Sequence, residues 1–324
     1  MTRRIAVLTS GGDAPGMNAA VRAVTRGALA KGWEVFGVRN GYAGLLADAI
    51  KPLAARDVGG IIQQGGTVLG SARSPEFAQP AGRSQALSNL KKKGIEALVV
   101  IGGNGSQTGS HTLAREGLAV VGVPSTIDND LYGTDVSIGS DTAVNITLEA
   151  IDRLRTTASS HQRAFVVETM GRDCGYIALM AGLAGGAEVI ALPESEISPA
   201  EVAERLRAAY RRGKTHAIVV IAEGARCGVK ELMQHYEKEK ASIGFELRVT
   251  RLGHIVRGGA PTAADRVLAT RLGAAAVDYL DRGEKSILVG LTCNVISSAP
   301  LADIAGRMRP ADGGLLELAR VMAI

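Results

Sequence analysis

The sequence predicts an α/β protein built from two doubly wound, mainly parallel sheets. Short apolar runs that end at glycine or aspartate alternate with segments whose apolar residues recur at helical spacing, which is typical of parallel sheets. This alternation continues through 324 residues, a length that suggests about two domains. Glycine is abundant at 41 residues and aromatic residues make up only 3%, a composition that suits α/β layers with many backbone-lined loops.

The first half of the chain starts with a predicted strand over Ile5–Thr9, followed by a glycine-rich turn and a helix over Asn18–Leu29. Further strands are predicted over Trp33–Val38 and Ile95–Ile101, and they end at glycine-rich loops, Gly41–Gly44 and Gly102–Gly109 respectively. The apolar run Leu118–Val123 predicts another buried strand. A first parallel sheet is therefore expected before residue 140.

The second half repeats this pattern after a long amphipathic helix, expected over residues 140–158. Ser198, with Pro199 next and Glu201 three residues later, predicts a capped helix start. The other predicted strands cover 164–169, 189–192, 217–222 and 286–291, and the other predicted helices cover 176–183, 229–240 and 262–281.

Charge and cysteine content bound the function. The formal charge of +5 is too small for a polycationic nucleic-acid surface, and few aromatic residues are available to stack on bases. No apolar stretch reaches the ~20 residues that a membrane span needs. Three widely spaced cysteines fit a reducing compartment, and the histidines lack zinc-ligand spacing. We expect a cytoplasmic protein that binds neither nucleic acid nor membrane.

Candidate catalytic groups follow the strand over 118–123 directly. Thr126, Asp128 and Asp130 lie just beyond its carboxyl end, which is where open parallel sheets bind their ligands. Two carboxylates in such a place can bind a metal ion or transfer protons.

Two glycine loops, Gly11–Gly16 and Gly102–Gly109, also follow predicted strands, so their backbone amides could approach an anion. The first is no Walker loop, because Met17 and Asn18 stand where Lys and Ser/Thr are required, and a tight turn is the alternative interpretation. Together with Arg73 and the carboxylates, these loops supply what phosphoryl transfer requires.

The chain resembles the bacterial-type 6-phosphofructokinases, also called the phosphofructokinase A family, over nearly its whole length. The motifs that carry the resemblance, in chain order, are GGDAPGMN, LGSAR, GGNGS, TIDND, SSHQR, MGRDCG, AEGA and LGHIVRGG. The resemblance implies a homotetramer of subunits with two α/β domains and an active site in the cleft between them. The nucleotide domain would be 1–138 plus about 252–304, and the sugar-phosphate domain 139–251 plus about 305–324.

The resemblance also implies a reaction and its residues. ATP would phosphorylate the 1-hydroxyl of fructose 6-phosphate, a step of glycolysis that gives fructose 1,6-bisphosphate and ADP. Asp128 would be the base, supported by Thr126, and Arg73 and Arg172 would stabilise the moving phosphoryl group. The implied nucleotide contacts are Gly12, Arg73, Ser74, Gly103, Asn104, Gly105 and Ser106. The implied sugar-phosphate contacts are Thr126, Ile127, Asp128, Arg163, Met170, Gly171, Arg172, Glu223, Arg248, His254 and Arg257, with Arg163 and Arg248 reaching in from a neighbouring subunit.

Regulation and metal binding are implied in the same way. An allosteric site for ADP or phosphoenolpyruvate would use Arg22, Arg26, Arg155, Glu188, Arg212, Lys214 and His216. Asn104 stands where the family usually has an aspartate that helps to hold Mg²⁺, so Asp130 is expected to carry more of the charge at a metal site that these two residues share.

Alternatives remain at this stage. Gly105 and Ser125 favour ATP over pyrophosphate, because they leave room for the α-phosphate of a nucleotide and supply no extra lysine. A pyrophosphate-dependent phosphofructokinase or a kinase for a related sugar phosphate is the nearest alternative. A regulatory paralogue without turnover is the second, and Asn104 is the feature that argues for it.

Overall fold

Two sheets organise the chain in the computed structural model, which describes residues 2–323. The chain divides into unit 1, Met1–Asp141 with Arg257–Met308, and unit 2, Thr142–Val256 with Arg309–Ile324. The strands in chain order are β1 (Arg4–Ser10), β2 (Glu34–Val38), β3 (Ile50–Pro52), β4 (Ala97–Gly102), β5 (Ala119–Pro124), β6 (Arg163–Thr169), β7 (Val189–Ala191), β8 (Ala217–Ala222), β9 (Glu246–Arg251), β10 (Ile287–Thr292) and β11 (Val295–Pro300).

The helices alternate with these strands along most of the chain. In chain order they are α1 (Met17–Ala30), α2 (Gly41–Leu46), α3 (Pro80–Lys92), α4 (Asn104–Arg115), α5 (Ser140–His161), α6 (Tyr176–Ala184), α7 (Pro199–Arg211), α8 (Val229–Ile243), α9 (Ala263–Asp281), α10 (Leu301–Ile304) and α11 (Gly313–Met322). Short 3-10 helices cover Glu76–Ala78 and Gly253–Arg257. Among the helices within residues 2–323, none is long and apolar enough to cross a membrane.

The sheet of unit 1 has a parallel middle and antiparallel edges. Within the described residues its strand order is β11-β10-β5-β4-β1-β2-β3, and the pairs β10–β11 and β2–β3 are antiparallel. The central strands read as continuous apolar runs because helices cover both faces, and every residue of β4 is buried. Helices α1 and α9 pack closely, since a Cβ at Gly273 would lie 2.8 Å from the Ala20 carbonyl oxygen.

Unit 2 contains a smaller sheet whose strand order is β7-β8-β6-β9 within the described residues, and all of its pairs are parallel. Its core includes β6 and β8 residues together with Val202 and Leu206 of α7 and Leu232 and Tyr236 of α8. Burial of such side chains contributes about 1.5–3 kcal/mol each. The structural neighbours described below confirm the predicted α/β fold class.

The predicted helix start at Ser198 is correct, because its side chain accepts a hydrogen bond from the Glu201 amide at 3.1 Å. Two predicted loops are wrong. Gly41–Gly44 belongs to α2, and most of Gly102–Gly109 lies in α4, which begins at Asn104. Glycine favours loops by its local propensity, whereas tertiary packing holds it in helical turns in both places.

Candidate functional site

Three neighbouring strands of unit 1 end at the same level of the sheet. Ser10 of β1 pairs with Gly102 of β4, and Gly102 pairs with Pro124 of β5. The two glycine-rich segments and the acidic stretch 126–130 therefore leave the sheet side by side at its carboxyl edge. Open parallel sheets bind their ligands at this edge.

The first glycine segment packs against an arginine that lies far away in the sequence. Gly11 has a φ of 87°, a left-handed conformation that favours glycine. A Cβ at Gly12 would lie 2.0 Å from Nη1 of Arg257, and the same nitrogen donates to the Asp13 carbonyl at 3.4 Å. The loop thus carries a guanidinium beside its backbone, which favours an anionic ligand.

The second glycine segment is the start of helix α4. Gly103 is the N-cap, no side chain caps it, and the 12-residue helix begins at Asn104. The amides of a first helical turn have no partners within the helix, so they can bind a phosphate. Tyr42 stabilises this turn by donating to the Ser106 carbonyl at 2.6 Å, and burial raises the pKa of Tyr42 far above its usual value.

The acidic stretch is fixed through Asn129, which separates the two aspartates. Asn129 has a φ of 49°, and its Oδ1 accepts from the Ser137 amide at 2.8 Å. Its Nδ2 donates to the Asp135 carbonyl at 3.0 Å. The Asp128 amide donates to Oγ1 of Thr126 at 3.3 Å, so the threonine and the proposed base share a turn. Asp128 and Asp130 are therefore held by a turn of defined shape.

Asn104 and Asp130 connect the second loop with the acidic stretch. Nδ2 of Asn104 donates to Oδ2 of Asp130 at 2.8 Å, and Asp130 is 8% exposed. Oδ1 of Asn104 is buried and accepts no hydrogen bond within the described residues. An amide oxygen and a carboxylate are ligands that Mg²⁺ accepts.

These two residues fit a magnesium ion that keeps several waters or takes further ligands from a substrate. In residues 2–323, no three His, Cys, Asp or Glu side chains converge as a set that could hold a metal ion by themselves. Mg²⁺ is often bound in this way, through one or two protein ligands together with phosphates.

The segment that carries Arg73 and Ser74 is joined to the first loop through Ser71. Oγ of Ser71 donates to the Gly11 carbonyl at 2.6 Å, and Oγ of Ser74 donates to Glu76 at 3.5 Å. Arg73 is exposed. Sequence reasoning missed Ser71, although its place between Gly70 and Arg73 in the LGSAR motif was a usable signal.

Unit 2 brings together the residues that follow β6, β8 and β9. The Glu223 amide donates to the Thr169 carbonyl at 2.9 Å, and the Gly224 amide donates to the Gly171 carbonyl at 3.0 Å. Met170–Arg172 therefore lies beside Glu223. His254 follows β9, which ends at the same edge because it is parallel to β6.

Arg163 and Arg248 lie near the opposite end of these strands. Nε of Arg163 is 2.8 Å from a Glu246 oxygen, and Arg248 contacts the other oxygen of that carboxylate. The hydrogen bond from Arg163, helped by the charge of Arg248, lowers the pKa of Glu246. Seven strand steps separate Arg163 from Met170, about 23 Å, and Arg248 pairs with Phe165, five steps or about 17 Å from Met170. The structure thus does not bring all predicted sugar-phosphate residues of one chain together.

Four of the predicted effector residues also lie close together in unit 2. Nζ of Lys214 is 3.1 Å from Glu188, whose other oxygen accepts from the Ile218 amide at 2.6 Å. Oγ of Ser159 lies 2.9 Å from Nδ1 of His216. Arg155, one helical turn before Ser159, has an Nη2 atom 3.7 Å from a Cβ built at Gly186. Arg212 is exposed at the end of α7, and Arg22 and Arg26 lie on α1 of unit 1.

Glu246 is a residue that sequence reasoning missed. It lies directly opposite Arg163 in the β6–β9 pair and two residues before Arg248 on the same face. Its contact with Arg163, 83 residues away in the sequence, follows from the register of β6 and β9 and not from any local pattern.

Comparisons with known proteins identify the family of this chain. Residues 4–280 match the family described as Phosphofructokinase. The chain is 54% identical over 323 residues to ATP-dependent 6-phosphofructokinase 1 of Thermus thermophilus, covering 99% of this chain and 100% of the relative. It is 50% identical over 322 residues to the ATP-dependent 6-phosphofructokinase of Bacillus subtilis, with the same coverage of 99% and 100%.

Solved structures show the same relationship. Phosphofructokinase from Pichia pastoris in the T-state superimposes with a TM-score of 0.89 at 40% identity, over 94% of this chain and 35% of the yeast chain. Pyrophosphate-dependent phosphofructokinase from Marinobacter aquaeolei has a TM-score of 0.84 at 24% identity, over 96% of this chain and 86% of its own, and this likeness concerns the fold alone. With a family match that spans most of its length and full-length relatives at 50% identity or more, the chain belongs to the phosphofructokinase family.

Proposed function

We propose that the protein is an ATP-dependent 6-phosphofructokinase, which transfers the γ-phosphoryl group of ATP to the 1-hydroxyl of fructose 6-phosphate in glycolysis. The observation that carries this function is the common end of β1, β4 and β5. Two glycine-rich segments leave the sheet there beside the stretch that carries Asp128, and this arrangement supports the proposal. The full-length relatives with this activity in their names support the same assignment.

Asp128 acts as the general base in this proposal. A carboxylate at a fixed turn can accept the proton of the sugar 1-hydroxyl as the phosphorus–oxygen bond forms, which typically contributes about 10²–10⁴-fold to the rate. Thr126 orients this turn through its contact with the Asp128 amide. Arg73 and Arg172, both exposed, are assigned to the oxygens of the moving phosphoryl group, where guanidiniums bind phosphate through two parallel hydrogen bonds.

The nucleotide is assigned to unit 1, on Gly12, the Arg73–Ser74 segment and the first turn of α4. Asn104 and Asp130 would hold Mg²⁺ together with the nucleotide phosphates. The ion would supply neutralisation of the charge on the transferred group. The amides of the α4 N-terminus and the Arg257 guanidinium add fixed positive potential at this edge of the sheet.

The sugar phosphate is assigned to Met170–Arg172, Glu223, His254 and Arg257, together with Ile127 and Asp128. Within one chain Arg163 lies about 23 Å and Arg248 about 17 Å along the sheet from Met170, so we assign them to the sugar site of a neighbouring subunit. This assignment requires an oligomer, and we infer a homotetramer.

Mixing two inactive variants tests whether neighbouring subunits share a site: D128A and R163A subunits, coexpressed, should regain activity that neither has alone. Mixed oligomers without activity would contradict shared sites.

An effector site is assigned to the cluster around Lys214, Glu188, Arg155 and His216, with Arg212, Arg22 and Arg26. Its excess of cations suits ADP or phosphoenolpyruvate. Addition of phosphoenolpyruvate should shift the half-saturating concentration of fructose 6-phosphate, and K214A should reduce that shift. An unchanged saturation curve in the wild type would remove this site from the account.

ATP is preferred over pyrophosphate as the donor. Apart from its two chain neighbours and the nearby backbone of α4 itself, no described atom lies within 4 Å of a Cβ built at Gly105, so this position faces open space that suits a donor larger than pyrophosphate. A panel of ATP, pyrophosphate and ADP, each with fructose 6-phosphate, tests this choice. ATP should support turnover and pyrophosphate should not. Full ATP use by a G105D/S125K variant would contradict the role given to this space.

The reducing cytoplasm is the proposed location. Cys174, Cys227 and Cys293 are free thiols in the structure, which suits a compartment where disulfides are rare.

A further inference from the structure

The hydrogen bond between Asn104 and Asp130 links the two segments that would hold the metal ion. Nδ2 of Asn104 lies 2.8 Å from Oδ2 and 3.4 Å from the main-chain oxygen of Asp130. The amide therefore contacts both the side chain and the backbone of the aspartate. Asp130 is almost completely buried, so the orientation of its carboxylate depends on protein contacts more than on water.

An amide at position 104 has a consequence that a carboxylate would not have. The NH₂ group of asparagine donates to Asp130 with no cation present. An aspartate in the same place would put two acceptor-only carboxylates within about 3 Å of each other, and such a pair needs a cation or a shared proton. The buried Oδ1 of Asn104, which accepts no hydrogen bond within residues 2–323, stays available as a ligand.

We propose that Asn104 makes the metal site conditional on the nucleotide. Through its amide it holds Asp130 in place without a divalent cation, so that free Mg²⁺ has little affinity for the protein and enters only with the phosphates of the donor. Asn104 is a positioning residue in this role, since it acts through Asp130. The inference rests on the proposed function, because that function supplies the metal and the phosphates.

Thermal unfolding of the full-length protein without nucleotide tests the proposal independently of activity. The midpoint is measured in EDTA and in MgCl₂ at matched ionic strength, and binding of free Mn²⁺ is measured by electron paramagnetic resonance. Wild type should show the same midpoint in both solutions and should leave the Mn²⁺ signal unchanged. N104D should unfold about 3 °C or more below wild type in EDTA, should regain this difference in MgCl₂, and should bind Mn²⁺.

Two further variants identify the cause. N104D/D130N again pairs one amide with one carboxylate, but the amide donor is now at position 130 and the acceptor at position 104. Its thermal unfolding midpoint in EDTA should return toward that of wild type. N294D adds a charge at an exposed turn of unit 1, next to Arg271, and should create no Mg²⁺ dependence.

A wild type that is stabilised by Mg²⁺ as strongly as N104D would overturn the inference, and so would an N104D midpoint in EDTA equal to that of wild type. Failure of the proposed function would appear separately, as a wild type that binds Mg²⁺ only conditionally but forms no fructose 1,6-bisphosphate from ATP.

Discussion

Replacing Gly12 by alanine should separate the role of Arg257 in substrate binding from its role in folding. The new Cβ would lie 2.0 Å from Nη1 and 3.0 Å from Cζ of Arg257, whereas ordinary contact begins at 3.4 Å. The guanidinium must therefore retreat by more than an ångström. Gly12 is not one of the glycines with a positive φ, so alanine fits its backbone without strain.

The expected magnitudes differ for stability and for catalysis. The clashing atoms are the far end of a flexible side chain, so the free energy of unfolding should fall by less than about 1 kcal/mol. A guanidinium displaced from a phosphate loses a charge-assisted contact worth about 1.5–3 kcal/mol. That loss corresponds to a fall in kcat/KM for fructose 6-phosphate of about 10- to 150-fold.

Steady-state kinetics with varied fructose 6-phosphate at saturating ATP provide the assay, together with a thermal melt of the same sample. G27A is the matched control, because its Cβ would make only ordinary contacts of 3.6 Å or more with Val277. An unchanged kcat/KM for fructose 6-phosphate in G12A would refute the reasoning. A rise confined to the KM for ATP would report the nucleotide contact of Gly12 itself and would likewise contradict the role given to Arg257 in sugar binding.

Three further predictions concern stability and the sugar site. G27A should raise the free energy of unfolding by about 0.5–1 kcal/mol, because alanine has less backbone freedom to lose within α1, and a denaturant titration that shows a loss would contradict the clash-free contact with Val277 at this position. Y42F should cost about 1 kcal/mol at neutral pH through the lost bond to Ser106. Burial raises the pKa of Tyr42 in the folded state, so above pH 10, the pKa of this phenol in the unfolded chain, only the unfolded chain ionises it and wild type loses stability. The stability deficit of Y42F relative to wild type should therefore shrink at alkaline pH. A deficit that stays constant with pH would refute the raised pKa of Tyr42. E246Q should raise the KM for fructose 6-phosphate several-fold with little change in kcat, because Arg163 and Arg248 lose the carboxylate that aligns them. A several-fold fall in kcat with an unchanged KM would contradict a binding role for Glu246.

Local patterns in the sequence predicted much of the fold. The apolar runs of β1, β5 and β8 are continuous because both faces of these strands are buried, and this pattern needs no knowledge of the partner strands. The cap at Ser198 could be predicted for the same reason, since it involves residues only three apart. Strand β9 escaped prediction because an edge strand rich in charged residues, most of them exposed, lacks an apolar run.

The candidate site was predictable in its residue types and less so in its geometry. The position of Asp128 and Asp130 after a buried strand is enough to place them at the carboxyl edge of a sheet. The packing of Arg257 on Gly12 joins residues more than 240 positions apart, as the contact of Arg257 with Asp13 at a separation of 244 shows. The hydrogen bond from Asn104 to Oδ2 of Asp130 likewise results from tertiary packing, and sequence periodicity cannot predict it.

The central claim is that Asp128 is the base of an ATP-dependent phosphoryl transfer. The decisive measurement is the rate of fructose 1,6-bisphosphate formation from ATP and fructose 6-phosphate by wild type and by D128N, with ATP binding measured on both proteins. We predict turnover by wild type, a kcat lower by about 10²–10⁴-fold in D128N, and unchanged ATP binding. A wild type that forms no more product than D128N would contradict the central claim.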